Sequence, residues 1–235
     1  MPRRIAIIPA RGGSKRIPRK NVRPFCGKPM IGHILETARA SAAFDVIHVS
    51  TEDAEIRETV ETLGFTVDFP RPPELADDHT PIMPVLKFVV DRYASMGQAF
   101  DEVWLLMACA PFVEVSDLQG AAELLARADG TQSVLAVAPY SVPVEWAYGR
   151  RADGGLVPLH PGQFAVRSQD LEPKYFDTGT FAALPSAVVR GSSGAGSDSQ
   201  YLGHVLEKYK AIDIDDEADW QLAEYIFHHR RGHGP

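Results

Sequence analysis

Apolar runs and helical periodicities alternate along the first 140 residues. Four consecutive apolar positions predict a buried strand over Arg4–Pro9. Apolar residues three and four positions apart then predict a helix over residues 29–41, and a second apolar run predicts a strand over residues 45–50. The alternation continues with predicted helices at residues 53–63, 83–96 and from about 116, and predicted strands at residues 66–69, 102–107 and 133–140.

Strands that alternate with helices of about 10 to 15 residues are typical of βαβ units and a mainly parallel sheet. In such α/β sheets, ligands bind beyond the carboxyl ends of the strands. The segment from Pro9 to Asn21 follows the first predicted strand directly. We therefore expect this segment to lie at the ligand-binding edge of the sheet.

The alternation weakens after Pro143. Residues 143–180 mix Pro, Gly, Arg and aromatic residues without a clean period, and we interpret them as an inserted arm or cap on a single domain spanning residues 1–235. Residues 191–199 are of low complexity. A late strand over residues 206–214 and a final helix over residues 217–227 complete the prediction.

Positive charge is concentrated at the start of an acidic chain. The chain has 24 Lys and Arg against 31 Asp and Glu, a net charge of −7, yet its first 28 residues contain nine basic residues and no acid. A nucleic-acid-binding protein usually has a basic face across its domain, which this distribution does not predict. One basic segment on an acidic body favours a small polyanion; the alternative is a solvated basic segment.

The cysteine content and hydropathy exclude other classes. Two cysteines, Cys26 and Cys109, are too few for a disulfide scaffold, and neither has a CxxC partner. No secretory signal pattern and no run of about 20 apolar residues is present. We therefore expect a reducing, cytoplasmic setting without a membrane partner.

The segment Pro9–Asn21 has the ingredients of a phosphate-binding loop. It is neither GxxxxGK[ST] nor GxGxxG. Gly12 and Gly13 lack Cβ atoms, so their backbone N–H groups can approach an anion closely. Arg11 can fork onto two phosphate oxygens, and Lys15 and Lys20 add point charges. The alternative is a glycine turn with solvated cations, and Arg16 and Arg19 fit either interpretation.

Asp213 and Asp215 form a candidate metal site. On the late strand predicted there, positions i and i+2 share one face, so two carboxylates lie close together. A hard cation relieves their repulsion, and Mg²⁺ prefers one or two carboxylates together with phosphate oxygens and water. Capping is equally compatible with the spacing, because Asp215 or Asp216 can cap the helix that begins near Glu217.

Several motifs together resemble one enzyme family. The stretch IIPARGGSKRIPRKN resembles the N-terminal signature of the CMP-sialic acid synthetase family, the cytidylyltransferases that activate nonulosonic acids. VSTEDAEI, RPPELADD, APFV and DIDDEADW follow in that family's order. FCGKPM and RSQDLEPKYFDTG are most similar to its pseudaminic acid branch.

The resemblance implies a fold, a reaction and partners. The fold would be a mostly parallel, Rossmann-like, three-layer α/β sandwich of the nucleotide-diphosphosugar transferase (GT-A-like) type with an inserted arm. The anomeric hydroxyl of the sugar would attack the α-phosphate of CTP, and pyrophosphate would leave. Pseudaminic acid is the first candidate acceptor, with legionaminic and N-acetylneuraminic acid as alternatives. Mg²⁺ would be the cofactor, on Asp213 and Asp215, and the chain would form a homodimer.

The resemblance also assigns residues to the nucleotide. Arg71 lies in a proline-stiffened loop, and the family uses the matching arginine near the pyrimidine; the alternative is a surface arginine in a turn. Arg11, Lys15 and Lys20 would act in catalysis by neutralising the triphosphate. The expected nucleotide-binding residues are Ala10, Arg11, Gly12, Gly13, Ser14, Lys15, Lys20, Asn21, Arg71 and Thr80.

The arm supplies candidate sugar-binding residues. Arg167 can hold the sugar's carboxylate and Phe181 can pack on an acyl methyl, although each residue could equally stabilise the arm. The expected sugar-binding residues are Arg167, Gln169, Asp170, Asp177 and Phe181.

Three positions depart from the family pattern. The family often has a hydroxyl residue where this chain has Ile82. It has a more aromatic sequence where this chain has Thr180-Phe-Ala-Ala. Cys109 stands where related Kdo-activating enzymes have an Asp, and a thiol suits Mg²⁺ poorly, so we interpret it as a small buried residue.

Two rival functions remain open from the sequence. A glycosyltransferase of the same fold would consume a nucleotide sugar, but its DxD pair usually lies in mid-chain. A non-catalytic CTP sensor would use the same loop without needing Asp213 and Asp215. Release of pyrophosphate distinguishes the three.

Overall fold

Six strands form the central sheet of the computed structural model, which describes residues 2–128, 130–192, 194, 196 and 200–231. In chain order, the strands are β1 Arg4–Pro9, β2 Pro24–Phe25, β3 Lys28–Pro29, β4 Val46–Ser50, β5 Glu102–Leu106, β6 Ser133–Pro139, β7 Tyr148–Arg150, β8 Leu156–Pro158, β9 Tyr175–Pro185 and β10 Tyr201–Val205. The helices are α1 Met30–Ala40, α2 Ala54–Thr62, α3 Ile82–Ser95, α4 Val115–Ala126, α5 Ser186–Gly191 and α6 Glu217–Arg231.

The sheet is mostly parallel, as the alternation predicted. Its order is β10-β6-β9-β5-β1-β4. The pairs β10–β6, β5–β1 and β1–β4 are parallel, and β9 runs antiparallel to both of its neighbours. β1 is buried on both faces, which explains its uninterrupted apolar run.

Helices cover both faces of the sheet and make three layers. Ala6 and Ile8 of β1 pack in a cluster with α1, α2 and α4. Ile5 and Ile7 face the other way and pack with α3 and α5. A third cluster joins α6 to the loop after β1, through residues that include Ile17, Phe25 and Trp220.

Two predicted strands are wrong. Residues 66–69 form no strand, because their backbone is not paired with the edge strand β4. The strand predicted over residues 206–214 instead lies earlier, at Tyr201–Val205. Leu206 N–H still donates to Val137 O, but the chain then forms a short 3₁₀ turn at Lys208–Lys210 and leaves the sheet. The final helix is longer than predicted and continues to Arg231.

The region after β6 contains the predicted arm in a shorter form. β7 and β8 make an antiparallel hairpin, and a 3₁₀ turn follows at Ser168–Asp170. From Tyr175 onward the chain is β9 of the central sheet, so the arm ends before that residue rather than at 180. Much of the low-complexity segment 191–199 lies outside the described residues. In the part of the chain that the structure describes, no helix is long and apolar enough to cross a bilayer.

Candidate active site

A cavity of about 540 Å³ opens at the carboxyl ends of β1 and β5. Its walls come from the loop after β1, the loop that precedes α3, the residues that follow β5, and Asp215. The position agrees with the rule that ligands of α/β sheets bind at this edge.

Most of the predicted nucleotide-binding residues line this cavity, although they come from distant parts of the chain. Those that line it are Arg11, Ser14, Lys15, Lys20, Asn21, Arg71 and Thr80. Ala10 is buried under the loop, and Gly12 and Gly13 form part of the loop without lining the cavity.

Position 12 needs a glycine because the backbone there packs closely against the side chain of Asp53. A Cβ at this position would lie 2.2 Å from Asp53 Oδ2. The backbone N–H of Gly12 donates to Glu52 Oε1 at 2.8 Å, so it does not face the cavity as we expected. Asp53 also caps α2 by accepting from Ile56 N–H. Gly12 therefore lets the loop pack closely against the start of α2.

Arg19 belongs to the same packing contact. Its guanidinium donates to both carboxylate oxygens of Asp53 at 2.8 Å and also contacts Glu55. The hydrogen bond from Arg19 lowers the pKa of Asp53 to about 2. Of the two uncertain cations, Arg19 thus ties the loop to α2, whereas Arg16 lines the cavity.

An acidic pair holds the cations at the cavity mouth. Arg11 Nη1 lies 2.6 Å from Asp78 Oδ1 and 3.0 Å from the backbone oxygen of Asp77, and Lys15 Nζ also contacts Asp78. Hydrogen bonding from Lys15 lowers the pKa of Asp78. Asp77 accepts the backbone N–H of Thr80 at 2.6 Å. Sequence reasoning missed both acids, although an acidic pair opposite an acid-free basic loop was a usable signal.

Lys20 reaches the other wall of the cavity. Its Nζ donates to the backbone oxygen of Ile214 at 2.6 Å and lies 3.9 Å from Asp215 Oδ1. Arg16 Nη1 lies 2.7 Å from Asp215 Oδ2. The loop after β1 is therefore in direct contact with Asp215, whereas Asp213, the other candidate metal ligand, does not line the cavity.

The structure distinguishes the acidic residues that cap α6 from the candidate metal ligand Asp215. Asp216 caps α6, because its Oδ1 accepts the N–H groups of Ala218 and Asp219. Asp219 reciprocates by accepting the N–H groups of Asp215 and Asp216. Capping is thus performed by Asp216 and Asp219, and the Asp215 side chain is left to the cavity.

Asp213 lies beside Asp215, although not on a strand. Loss of hydration, and then the neighbouring carboxylate of Asp215, raise the pKa of Asp213. Two carboxylates that repel one another in this way suit a hard divalent cation. Within the described residues, no group of three or more His, Cys, Asp or Glu side chains is placed to hold a metal. A cation here would therefore take its remaining ligands from substrate and water.

Arg71 is a buried residue rather than a surface arginine. It is 5% exposed, and its guanidinium donates to Ser50 Oγ at 3.1 Å and to the backbone oxygen of Ser50 at 2.6 Å. Burial lowers the pKa of Arg71. The end of β4 thus holds this guanidinium rigidly in the cavity wall.

Cys109 lines the cavity among apolar neighbours. Burial raises the pKa of its thiol, which keeps it protonated at neutral pH. No histidine is among the residues that line the cavity in the described part of the chain. Cys109 is a small residue near the site, as we expected, but it is partly exposed at the cavity rather than fully buried.

The predicted sugar-binding residues are not brought to the cavity. Phe181 is 2% exposed and packs in the core against Trp104, so our expectation that it contacts an acyl methyl is wrong. Arg167 pairs with Asp170 at 2.8 Å on the exposed arm, and Gln169 is exposed beside them. Asp177 accepts the backbone N–H of Gly179. In this structure Arg167, Asp170 and Asp177 thus bond within the arm and β9.

Comparisons with known proteins agree with this architecture. A family model described as cytidylyltransferase matches residues 5–146. A pseudaminic acid cytidylyltransferase of Campylobacter jejuni is 31% identical over 95% of both chains. A CMP-N,N'-diacetyllegionaminic acid synthase of Legionella pneumophila is 32% identical over 94% of this chain and 95% of its own. A solved CMP:2-keto-3-deoxy-manno-octonic acid synthetase complexed with CTP has a TM-score of 0.72 at 16% identity, covering 97% of this chain and 99% of its own.

Proposed function

The chain belongs to the cytidylyltransferase family, and from this premise we propose that it transfers CMP from CTP to the anomeric hydroxyl of a nonulosonic acid, releasing pyrophosphate. Pseudaminic acid is the first candidate acceptor, because the Campylobacter relative, which matches this chain over nearly its whole length, is named as a pseudaminic acid cytidylyltransferase. The legionaminic acid relative, at similar identity, keeps that acceptor as the second candidate.

One observation carries the proposal beyond family membership. The cavity brings Arg11, Lys15, Lys20 and Asp215 together at the carboxyl edge of the sheet. This arrangement suits a triphosphate with a bound divalent cation. The triphosphate would lie against the three basic groups, which neutralise the charge that builds on the leaving pyrophosphate. Arg71, held rigidly in the cavity wall, would fix the nucleoside, so catalysis would be mainly positioning and charge stabilisation.

We propose Mg²⁺ as the cofactor, with Asp213 and Asp215 as its protein ligands. The fit rests on the raised pKa of Asp213 beside a second carboxylate and on the small number of protein ligands that Mg²⁺ needs. When bound, the cation would withdraw charge from the phosphate oxygens. Arg16, whose side chain is largely exposed, would have to move away from Asp215 to admit it. Lys20 would hold Ile214, and through it the position of the carboxylates.

The arm supports a proposal of self-association. The hairpin and the turn after it expose large apolar side chains, among them Leu156, Leu159 and Phe164. Such a cluster of apolar side chains is typical of an interaction surface. A homodimer that covers this surface would also bring the polar arm residues of one chain close to the other chain. Light scattering of the wild type and of Leu156→Asp would test the dimer, with a shift to monomer expected in the variant.

We also propose a cytoplasmic location. Two cysteines without a CxxC pair are typical of a chain from a reducing compartment.

Pyrophosphate release is the test of the whole proposal. Each common nucleoside triphosphate would be supplied with Mg²⁺ and pseudaminic, legionaminic or N-acetylneuraminic acid. Release with CTP and one acceptor supports the transferase and identifies its sugar. Binding of CTP without release with any acceptor would instead favour a sensor.

A further inference from the structure

A buried lysine lies immediately before the candidate metal carboxylates. The side chain of Lys210 is 4% exposed. Its Nζ donates to Glu114 Oε2 at 2.8 Å and to the two carboxylate oxygens of Asp117 at 2.9 and 3.0 Å. These contacts occupy the donor capacity of an ammonium group with charge-assisted hydrogen bonds. Lys210 is therefore an internal ion-pair partner rather than a solvated side chain.

Both partners are charged despite their burial. Burial lowers the pKa of Lys210, but its hydrogen bonds to Glu114 and Asp117 outweigh that effect and raise the pKa overall. Burial likewise raises the pKa of Asp117, but hydrogen bonds from His204 and Lys210 outweigh it and lower the pKa overall. The contact is thus a true ammonium–carboxylate pair at neutral pH.

The pair joins two stretches of backbone that meet at the cavity. Glu114 and Asp117 form the capping box of α4, which follows the cavity-lining residues 107–109. Lys210 directly precedes residues 211–215, which contain both candidate metal ligands. At the far end of that stretch, Lys20 holds the backbone oxygen of Ile214 at 2.6 Å. Residues 211–215 are therefore held at both ends.

The energetics of buried ion pairs favour a role for this pair in positioning the backbone rather than in adding stability. A buried ion pair is often no more stable than a hydrophobic pair of the same volume, so added stability is a weak account of it. Residues 211–215 belong to no helix or strand, and their own backbone pattern does not fix where Asp213 and Asp215 lie. An ammonium that must satisfy two fixed carboxylates restrains the start of this segment to a narrow range of positions.

We propose that Lys210 is a positioning residue for Asp213 and Asp215: by joining their segment to the N-terminus of α4, it holds Asp215 at the cavity with Asp213 close by, and so sets the affinity for the divalent cation that binds with CTP. This inference rests on the proposed function. Lys210 itself contacts neither substrate nor metal and acts through Asp117 and Glu114.

The test compares Lys210→Met with Arg4→Met. Arg4 forms a half-buried ion pair with Glu102 at the opposite end of the sheet, so the control removes a similar pair far from the cavity. Free Mn²⁺ would be measured by electron paramagnetic resonance while the protein is titrated in the presence of a non-hydrolysable CTP analogue. In parallel, pyrophosphate release would be measured against Mg²⁺ and against CTP.

We expect Lys210→Met to weaken Mn²⁺ binding at least fivefold and to raise the half-saturating Mg²⁺ concentration equally. The KM for CTP at saturating Mg²⁺ should stay within twofold, and Arg4→Met should leave metal binding unchanged. If Lys210→Met does not fold, Glu114→Gln, which weakens one of the three contacts, should shift Mn²⁺ binding in the same direction by about twofold.

Folded Lys210→Met with wild-type Mn²⁺ affinity would overturn the inference while leaving the proposed function intact. Equal weakening in Arg4→Met would also overturn it, because the effect would then be general destabilisation. A wild type that releases no pyrophosphate, but whose Mn²⁺ binding depends on Lys210, would refute the proposed function and retain the positioning role.

Discussion

Two sets of ion pairs in this protein have similar distances and opposite surroundings. At the cavity mouth, Asp78 contacts Arg11 and Lys15; the side chain of Lys15 is 80% exposed and that of Asp78 is 35% exposed. Behind the cavity, Lys210 and Asp117 are 4% and 10% exposed. Exposed pairs contribute about 0–1 kcal/mol each, because water and salt screen them. Breaking a buried pair costs about 3–5 kcal/mol, because one charge is left unsatisfied.

The difference in burial gives the two sets different uses. Cations at the mouth can exchange a protein carboxylate for a phosphate group at little cost, which a substrate site requires. The buried pair cannot be exchanged, so it is suited to holding backbone in place.

Removing one lysine from each set should affect stability very differently. We expect Lys210→Met to lower the free energy of unfolding by about 3 kcal/mol or more. Lys15→Met should change it by less than about 0.5 kcal/mol. Urea denaturation at low and high salt would measure both. Equal losses in the two variants would contradict the comparison, as would a strong salt dependence of the Lys210 effect.

Asp215→Ala should have the opposite effect to Lys210→Met: a large loss of activity with little change in stability. Because Asp215 is a proposed metal ligand whose side chain is 36% exposed, turnover should fall about 10²-fold or more, the range seen when a key electrostatic group is removed. The response to Mg²⁺ should disappear with it, whereas the free energy of unfolding should hardly change. A variant that still responds normally to Mg²⁺ would remove Asp215 from the metal site.

Lys20→Ala tests a residue between the two sets. Its side chain is 16% exposed and bonds the backbone oxygen of Ile214 across the cavity. We expect turnover at saturating CTP to fall at least tenfold, since both the triphosphate and the carboxylate segment lose a contact. Unchanged turnover would exclude this role. Arg23→Ala, which breaks a pair with Glu217 away from the cavity, is the matched control.

Asp78→Asn should have the smallest effect. CTP must replace Asp78 on Arg11 and Lys15, so removing this carboxylate's charge should lower the KM for CTP, by about threefold at low salt. The difference should shrink above about 0.15 M salt, where screening acts within about 8 Å. A KM that rises instead would mean that Asp78 positions the cations for the nucleotide.

Local pattern predicted much of the fold because its causes are local. The apolar run of β1 reflects burial on both faces, and the alternation of strands and helices required a mostly parallel sheet with helical layers. The same logic failed at residues 66–69, whose local pattern is that of a strand but whose backbone is not paired with the edge strand β4. It also misplaced the late strand, which ends at Val205; the chain then turns out of the sheet at Lys208–Lys210, where Lys210 pairs with Asp117.

For the site, residue type and order in the sequence were informative, but the burial of each side chain could not be predicted from them. The basic loop and the acidic pair near the C-terminus were evident from composition and spacing. Whether Arg71 is exposed and whether Phe181 is accessible depended on neighbours far along the chain, Ser50 and Trp104.

By itself, the sequence determined the α/β class, the cavity edge and the residue types available for a triphosphate and a cation, because these follow from periodicity and local charge. Only the tertiary structure decided which ion pairs are exposed, so that a phosphate can replace the carboxylate, and which are buried and fixed. Lys20 meets Ile214 across 194 positions, and Lys210 meets Asp117 across 93. The strength of an ion pair depends on the water around it, and that water is excluded only by chain segments that folding brings together.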